Sequence, residues 1–204
     1  MNYLAHTYLS DLAGDDEKLF LGNFIADHVK GNHINHFDAG IVRGIVLHRK
    51  TDEFTDKHPS FIACRDRLAP RYHKYAGVIT DMFYDHFLAA NWSGFSNESL
   101  QAFTERHYRV LLKNFLLLPG KTKRILPFMI RSNWLSSYAR LEFLQRSLEG
   151  MAVRTPFQSH MDKAVKDLRE DYSFYKKEFY VFFPAVIAFV KGLLAGELQV
   201  TATE

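Results

Sequence analysis

The chain has 204 residues with 47% hydrophobic and 15% aromatic content, which predicts one globular domain spanning 1–204. A formal net charge of +3 is too small to require nucleic acid, and the single cysteine, Cys64, excludes an intramolecular disulfide and favours a reducing compartment. The N-terminal segment lacks the basic region of a signal peptide, and no run approaches about 18 uninterrupted apolar residues. The sequence therefore predicts a cytoplasmic protein without a membrane span.

Helical periodicity recurs along the chain, and few segments show the alternation that is typical of strands. Helices are expected at about 2–12, 17–29, 38–58, 60–70, 73–93, from the GFSNES turn to the break at 116–124, at 122–135, at 137–149 and at 160–195. The segments GNHINH and GMAVRTP are expected to be loops, and Pro184 is expected to kink the last helix. The pattern predicts an all-α domain of eight or nine helices.

The long helix at 38–58 has an unusual inward stripe. At spacings i, i+4, i+7 and i+11, one helix face carries Ile41, Ile45, His48 and Asp52. This face begins as aliphatic core and ends as imidazole and carboxylate. Burying Asp52 on such a face costs free energy unless a partner offsets the desolvation.

The helix at 73–93 shows the same kind of stripe. Two carboxylates interrupt its apolar face, which reads Val78, Asp81, Asp85, Leu88 and Trp92. His86 lies about 100° further round the helix, at the edge of the same face. The first helix carries His6, and the apolar stripe of the second helix ends in Asp27. Four helices thus direct histidines or acids inward.

A divalent metal site is the simplest common explanation of these inward groups. The candidates are His6, Asp27, His48, Asp52, Asp81, Asp85 and His86. Helical bundles build internal metal sites from such side chains, and imidazole and carboxylate ligands without cysteine favour manganese, iron or magnesium over structural zinc. The alternative is that each group is a capped or salt-bridged core residue, with Arg49 pairing with Asp52 or Glu53. Recurrence on four helices favours the metal site.

Other features indicate less about function. Two basic clusters are typical of solvated surface: Arg65, Arg67, Arg71 and Lys74 in one, and Lys121, Lys123 and Arg124 in the other. The second cluster has functional meaning only if the partner is acidic. The sequence has no GxGxxG, GxxxxGK[ST] or GxSxG motif, which removes the commonest nucleotide-binding and serine-hydrolase signatures.

Several blocks of the sequence together indicate a family. In chain order they are MNYLAHTYLS, LGNFIADHVKG, GIVLHRKTDEFTDKHP, DMFYDHFLAANW, SNWLSSY and GMAVRTP. From Met1 to about Pro184, the chain resembles the acyl carrier protein phosphodiesterases, a family regarded as a divergent branch of the HD-domain metal-dependent phosphohydrolases. The resemblance implies the all-helical HD fold. It also implies manganese-dependent hydrolysis of the phosphodiester that joins 4′-phosphopantetheine to a serine of holo-acyl carrier protein.

The motif residues of that family correspond to the seven metal candidates named above. HD proteins ordinarily carry a His-Asp doublet, whereas here Asp85 precedes His86 and His48 precedes Arg49, so ligand assignments do not transfer directly. Tyr8 stands where relatives can have a second histidine. We expect one or two Mn²⁺ ions, with Mg²⁺ or Fe²⁺ as alternatives, among His6, Asp27, His48, Asp81, Asp85 and His86.

The resemblance also suggests catalytic roles. Asp52 is expected to position the attacking water or act as general base, Arg49 to hold the non-bridging phosphate oxygens, and Asp27 to serve catalysis as well as metal binding. An acidic carrier protein would be steered by a basic rim drawn from Arg65, Arg67, Arg71, Lys121, Lys123 and Arg124. Two alternatives stay open: an HD-type phosphohydrolase for a nucleotide or other small phosphodiester, and a non-catalytic helical binding protein.

Overall fold

The computed structural model describes residues 1–196, apart from the side chains of Asn32, His33 and Asn35. Residues 1–196 contain helices and turns but no strand. The α-helices are α1 (Tyr3–Asp11), α2 (Glu17–Ile25), α3 (Ala39–Lys57), α4 (Pro59–Tyr72), α5 (Ala76–Ala90), α6 (Leu100–Lys113), α7 (Gly120–Arg131), α8 (Trp134–Ser137), α9 (Leu141–Arg154), α10 (Ala164–Glu170) and α11 (Tyr172–Gly196). The all-α prediction is confirmed.

The described part of the chain has more α-helices than the eight or nine expected, because some predicted helices are divided. Asn133 adopts a left-handed φ of 44°, which separates α8 from α7. Asp171, with φ −118° and ψ 30°, separates α10 from α11. The prediction of a loop at GMAVRTP is wrong for its first five residues, since α9 continues to Arg154, and GNHINH forms a 3-10 turn. Pro184 lies inside α11, and its kink stays a prediction.

Helix α11 is the one described helix that is long and apolar enough to cross a membrane by length and composition, with a mean hydropathy of 1.9 in its most apolar stretch. Its inward stripe is buried, as the predicted aromatic seam requires: Tyr175, Phe179, Phe182 and Val186. Phe179 and Phe182 meet the ring of Tyr84 on α5 at centroid distances of 5.6 and 5.0 Å. Core packing therefore accounts for the apolar character of this stripe.

Two glycines allow α2 and α3 to approach each other closely. A Cβ atom on Gly22 would lie 1.9 Å from the carbonyl oxygen of Ile41, and one on Gly44 would lie 2.0 Å from that of Leu19. Any side chain larger than hydrogen would push the two helices apart at these points. The close contact places the end of α2 directly against the middle of α3.

Candidate metal centre

Three of the predicted residues meet where α1 crosses α3. His6 Nε2 lies 3.0 Å from Asp52 Oδ1, and His48 Nε2 lies 3.1 Å from Asp52 Oδ2. The two imidazole rings are stacked with centroids 3.8 Å apart. One potential ligand atom from each of the three residues lies within 4.8 Å of the others. Asp52 therefore bridges the two histidines, which both lie in the buried interior.

The end of α2 completes this cluster. Asp27 lies in the 3-10 turn Ala26–His28, and its Oδ1 atom is 3.3 Å from His48 Nε2. Asn23 Oδ1 lies 3.1 Å from His48 Nδ1, so that nitrogen donates its hydrogen to the amide oxygen. Asn23 also donates from Nδ2 to the carbonyl oxygen of His6 at 3.3 Å. This amide orients His48 so that its Nε2 atom faces the carboxylates of both Asp27 and Asp52.

The chain's α-amino group adds a positive charge to the same region. Its nitrogen lies 3.1 Å from Asp52 Oδ1 and 3.2 Å from Asp81 Oδ1. Asp81 Oδ1 has no well-directed hydrogen bond among the described residues, so its contact with the ammonium group is an ion pair without a hydrogen bond. Burial raises the pKa of Asp81 to about 6, although the ammonium group favours its charged form. Asp81 thus lies beside the cluster, and the ammonium group links its carboxylate to that of Asp52.

The electrostatics of the cluster favour one additional positive charge. Burial lowers the pKa of His48, but hydrogen bonds with Asp27 and Asp52 outweigh it and raise that pKa to about 9. The pKa of His6 falls to about 4 because of burial and the charge of the stacked His48. Although burial raises the pKa of Asp52, the two histidines hold it well below its usual range. Either a proton on His48 or a bound metal cation would supply this positive charge.

The donor set fits a divalent metal. His6 Nδ1 is buried and has no hydrogen-bond partner among the described residues, which is costly for a polar atom in the interior. His48 Nε2 faces two carboxylates, and its other nitrogen is fixed by Asn23, as is typical of a metal-binding histidine. Neutral imidazoles and carboxylates are ligands that first-row divalent metals accept.

Asp85 and His86 lie outside the cluster, and their polar atoms are occupied by other protein groups. Asp85 accepts hydrogen bonds from the backbone amides of Leu4 (2.8 Å) and Ala5 (3.0 Å), so it caps the N-terminus of α1. Burial raises the pKa of Asp85 to about 7, although both amides favour its charged form. Asp85 lies near enough to Asp81 for their charges to interact, but the start of α1 occupies both of its carboxylate oxygens.

His86 is held in the same way by distant parts of the chain. Its Nδ1 atom lies 2.9 Å from the carbonyl oxygen of Tyr138, and its Nε2 atom lies 3.1 Å from the hydroxyl group of Tyr172. Both ring nitrogens are occupied by protein groups, so neither is left for a metal. His86 joins α5 to the segment before α9 and to α11.

Arg49 pairs with neither of the partners expected from the sequence. Its Nη2 atom donates to the carbonyl oxygen of Val29 at 3.3 Å, while Glu53 pairs with Lys57. Val29 follows the turn that carries Asp27, so the exposed guanidinium group lies near the rim of the cluster. At the cluster itself lies a narrow cleft of about 10 Å³, lined by Met1, Asn2, Tyr3, His6, Asn23, Phe24, Asp27 and His48.

Sequence reasoning missed Asn23 and the glycine contact that brings it opposite His48. Asn23 is a polar residue inside the apolar run LFLGNFI, which is the signal that could have marked it. Gly22 and Gly44 interrupt helical patterns where a close backbone approach is one common cause. Neither signal identifies the contacting residue, since that residue lies 19 to 25 positions away along the chain.

An all-helical domain that joins imidazoles and carboxylates from α1, α3 and the end of α2 has the architecture of helical metal-binding proteins. Residues 1–186 match the family model described as acyl carrier protein phosphodiesterase. The chain belongs to this family, which confirms the resemblance to the acyl carrier protein phosphodiesterases, while the relation to HD-domain proteins stays a prediction. No solved structure matches the chain.

Three curated relatives have the name acyl carrier protein phosphodiesterase. That of Photorhabdus laumondii is 35% identical over 185 residues, which cover 90% of this chain and 92% of the relative. That of Serratia proteamaculans is 33% identical over 188 residues, 92% of this chain and 96% of the relative. That of Yersinia enterocolitica is 32% identical over 189 residues, with the same two coverages. The likeness therefore extends over almost the whole length of both chains.

Proposed function

We propose that this chain is a cytoplasmic, metal-dependent phosphodiesterase that releases 4′-phosphopantetheine from holo-acyl carrier protein and leaves the apo-protein. The observation that carries the proposal is the convergence of His6, His48 and Asp52, with ligand atoms within 4.8 Å, in a chain whose relatives bear the name of this activity. The all-helical fold with histidine and aspartate donors from successive helices also supports a relationship to the HD-domain phosphohydrolases.

The metal would be held by His6, His48 and Asp52, with Asp27 at the open side of the cluster. Mn²⁺ suits this mixed nitrogen and oxygen set, and Mg²⁺ and Fe²⁺ are the alternatives. When bound, such an ion lowers the pKa of a coordinated water and neutralises negative charge on phosphoryl oxygens. Asp81 lies close enough to support the site through the ammonium group, while Asp85 and His86 serve the fold.

We assign the two acids roles that differ from those expected from the resemblance. Asp52 places one oxygen on each of two imidazoles and is 37% exposed, which suits a ligand better than a general base. A hydrogen bond with His48 also holds the pKa of Asp27 below its usual range, but Asp27 is 65% exposed and lines the cleft, so this carboxylate would position the attacking water and accept its proton. Arg49, near the rim, would hold the non-bridging oxygens of the phosphodiester with its planar guanidinium group.

The intact mass of holo-acyl carrier protein tests this function directly. The carrier protein is incubated with the enzyme and Mn²⁺, and in parallel with the enzyme and a chelator. Loss of the phosphopantetheine mass only with Mn²⁺ supports the proposal, whereas an unchanged mass in both reactions, with folded enzyme, overturns the carrier-protein substrate. Hydrolysis of a small aryl phosphodiester alone would then favour a phosphohydrolase for small substrates.

A further inference from the structure

An exposed apolar turn and an exposed basic helix face lie side by side on this protein. Leu116 is 87% exposed and Phe128 is 69% exposed, which is unusual for such large apolar side chains. Residues of the 3-10 turn Phe115–Leu117 and of α7 together make up what we call the α7 surface. They are Phe115, Leu116, Leu117, Lys121, Lys123, Arg124 and Phe128.

Both parts of the α7 surface, the turn and the helix face, combine cationic and apolar groups. Lys123 Nζ donates to the carbonyl oxygen of Leu116 at 2.9 Å and lies 5.8 Å from the centre of the Phe115 ring, so it joins the turn to the helix. On α7 itself, Lys121, Arg124 and Phe128 follow at i, i+3 and i+7 and share one helix face. Lys123 lies about 200° round the helix from Lys121, so the turn and this helix face are two separate parts of the α7 surface, each with cationic and apolar groups.

The positive charges of the α7 surface are not neutralised from within the chain. Lys121, Lys123 and Arg124 form no ion pair with any acid in residues 1–196. The other predicted basic cluster differs, because each of its arginines is paired: Arg65 with Asp66, Arg67 with Asp171 and Arg71 with Asp167. Among the described residues, acids therefore neutralise the three arginines of the first cluster but none of the cations of the α7 cluster.

The α7 surface also adjoins the candidate metal centre. Thr122, in the first turn of α7, makes a 2.7 Å hydrogen bond with His28 Nδ1. His28 directly follows Asp27, the carboxylate at the open side of the cluster. The first turn of α7 therefore lies beside the turn that carries Asp27.

We propose that the α7 surface is where an acidic carrier protein docks, with Leu116, Leu117 and Phe128 as apolar anchors inside a cationic rim. This inference rests on the proposed function, since the bond to be cleaved is attached to a serine of the substrate protein. That serine can approach the cleft only if the surrounding surface of the substrate lies against the enzyme beside Asp27. Charge complementarity then selects an acidic surface, and exposed apolar side chains at its centre supply the desolvated contacts that dominate binding.

Binding measured without turnover separates this proposal from the proposed function. Holo-acyl carrier protein is titrated into the enzyme in the presence of a chelator, and heats of binding are recorded by calorimetry. The double variants K121E/R124E and L116S/F128S are each expected to bind at least about tenfold more weakly than the unaltered protein. The matched control K177E/K191E, with the same charge change on exposed lysines of α11, is expected to stay within about twofold.

Equal binding by the unaltered protein and K121E/R124E overturns the docking surface. So does a loss of activity of either α7 variant on a small aryl phosphodiester, because a surface that only docks the carrier protein leaves that activity unchanged. The protein is also sedimented with phosphatidylglycerol vesicles. If the α7 substitutions abolish this co-sedimentation and leave carrier binding unchanged, the surface binds a membrane instead. Tight carrier binding through this surface with no release of phosphopantetheine would uphold the docking site and overturn the proposed function.

Discussion

Two regions of the molecule look alike in sequence and differ in structure. The stripe of α3 ends in His48 and Asp52, and the stripe of α5 carries Asp85 and His86. In α5, every polar atom of the pair meets a protein donor or acceptor that matches it. In α3, His48 Nε2 lies 3.3 Å from an oxygen of Asp27 and 3.1 Å from an oxygen of Asp52. The two carboxylates therefore share the one positive charge that a protonated His48 carries.

The difference shows what distinguishes a structural polar group from a functional one. A buried acid that accepts two backbone amides is stabilised in the apo-protein and needs nothing further. A cluster of imidazoles and carboxylates that leaves His6 Nδ1 unpartnered among the described residues is not fully satisfied, and a proton on His48 or a bound cation would balance its carboxylates. Side chains in both regions point inward, so an inward direction alone does not tell a structural polar residue from a functional one.

The largest expected effect is on turnover, from Asp52→Asn. The amide keeps the shape of the side chain but removes the charge shared by His6 and His48, so we expect turnover to fall on the order of 10³-fold, similar to the loss of one strong electrostatic group in an active site. Release of phosphopantetheine, followed by mass, measures it. An Asp52→Asn protein with normal turnover would remove this carboxylate from the site.

The matched change in α5, Asp85→Asn, is expected to act on the fold. Its amide nitrogen would face one of the two backbone N–H groups at the start of α1, which leaves a buried donor unpaired, and the free energy of unfolding should fall by about 2–3 kcal/mol. Urea unfolding measures this, and turnover per folded molecule should stay within a few-fold. A stable but inactive Asp85→Asn would contradict the distinction between the two regions.

Asn23→Ala tests the support of the metal centre rather than its ligands. Without the amide, His48 Nδ1 loses its acceptor and the imidazole can turn away from Asp27. The affinity for Mn²⁺ should fall about 10–100-fold, as for other groups that orient a ligating histidine. Titration followed by electron paramagnetic resonance of free Mn²⁺ measures this affinity, and unchanged binding would mean that His48 is held by its packing alone.

The smallest expected effect is on stability and concerns an ion pair at the C-terminal end of α1. Its acid has protein partners for its charge, so it serves as a reference for the acids of the cluster. Asp11 accepts two hydrogen bonds from Arg106 and lies 3.2 Å from His107 Nε2. Although burial raises the pKa of Asp11, His107 and Arg106 lower it to about 2, so its contribution to stability is complete above about pH 4 and is lost as the pH falls towards 2.

Asp11→Asn should therefore lower the free energy of unfolding by about 1–2 kcal/mol at neutral pH, after allowance for the partial exposure of the ion pair. The difference from the unaltered protein should shrink as denaturation is measured at pH values below 4. A difference that stays constant down to pH 3 would show that the charge of Asp11 is not the cause.

The sequence allowed the helices and the α3 stripe to be predicted, because both depend on local periodicity. That periodicity marked His6, His48 and Asp52 as candidates, and their role in metal binding stays a prediction. The hydrogen bonds of Asp85 and His86 could not be predicted, because their partners Leu4, Tyr138 and Tyr172 lie 52 to 86 positions away in the chain. The orientation of His48 by Asn23 was missed for the same reason, since it depends on the close contact of α2 with α3.

Manganese binding by two matched histidine variants tests the central claim most directly. Purified unaltered protein, His48→Gln and His86→Gln are freed of metal and titrated with Mn²⁺ under identical conditions. We predict that the unaltered protein and His86→Gln bind Mn²⁺ with similar affinity and that His48→Gln loses binding. Loss of binding in folded His86→Gln with retention in His48→Gln, or no binding by the unaltered protein, would contradict the assignment of the metal centre to His6, His48 and Asp52.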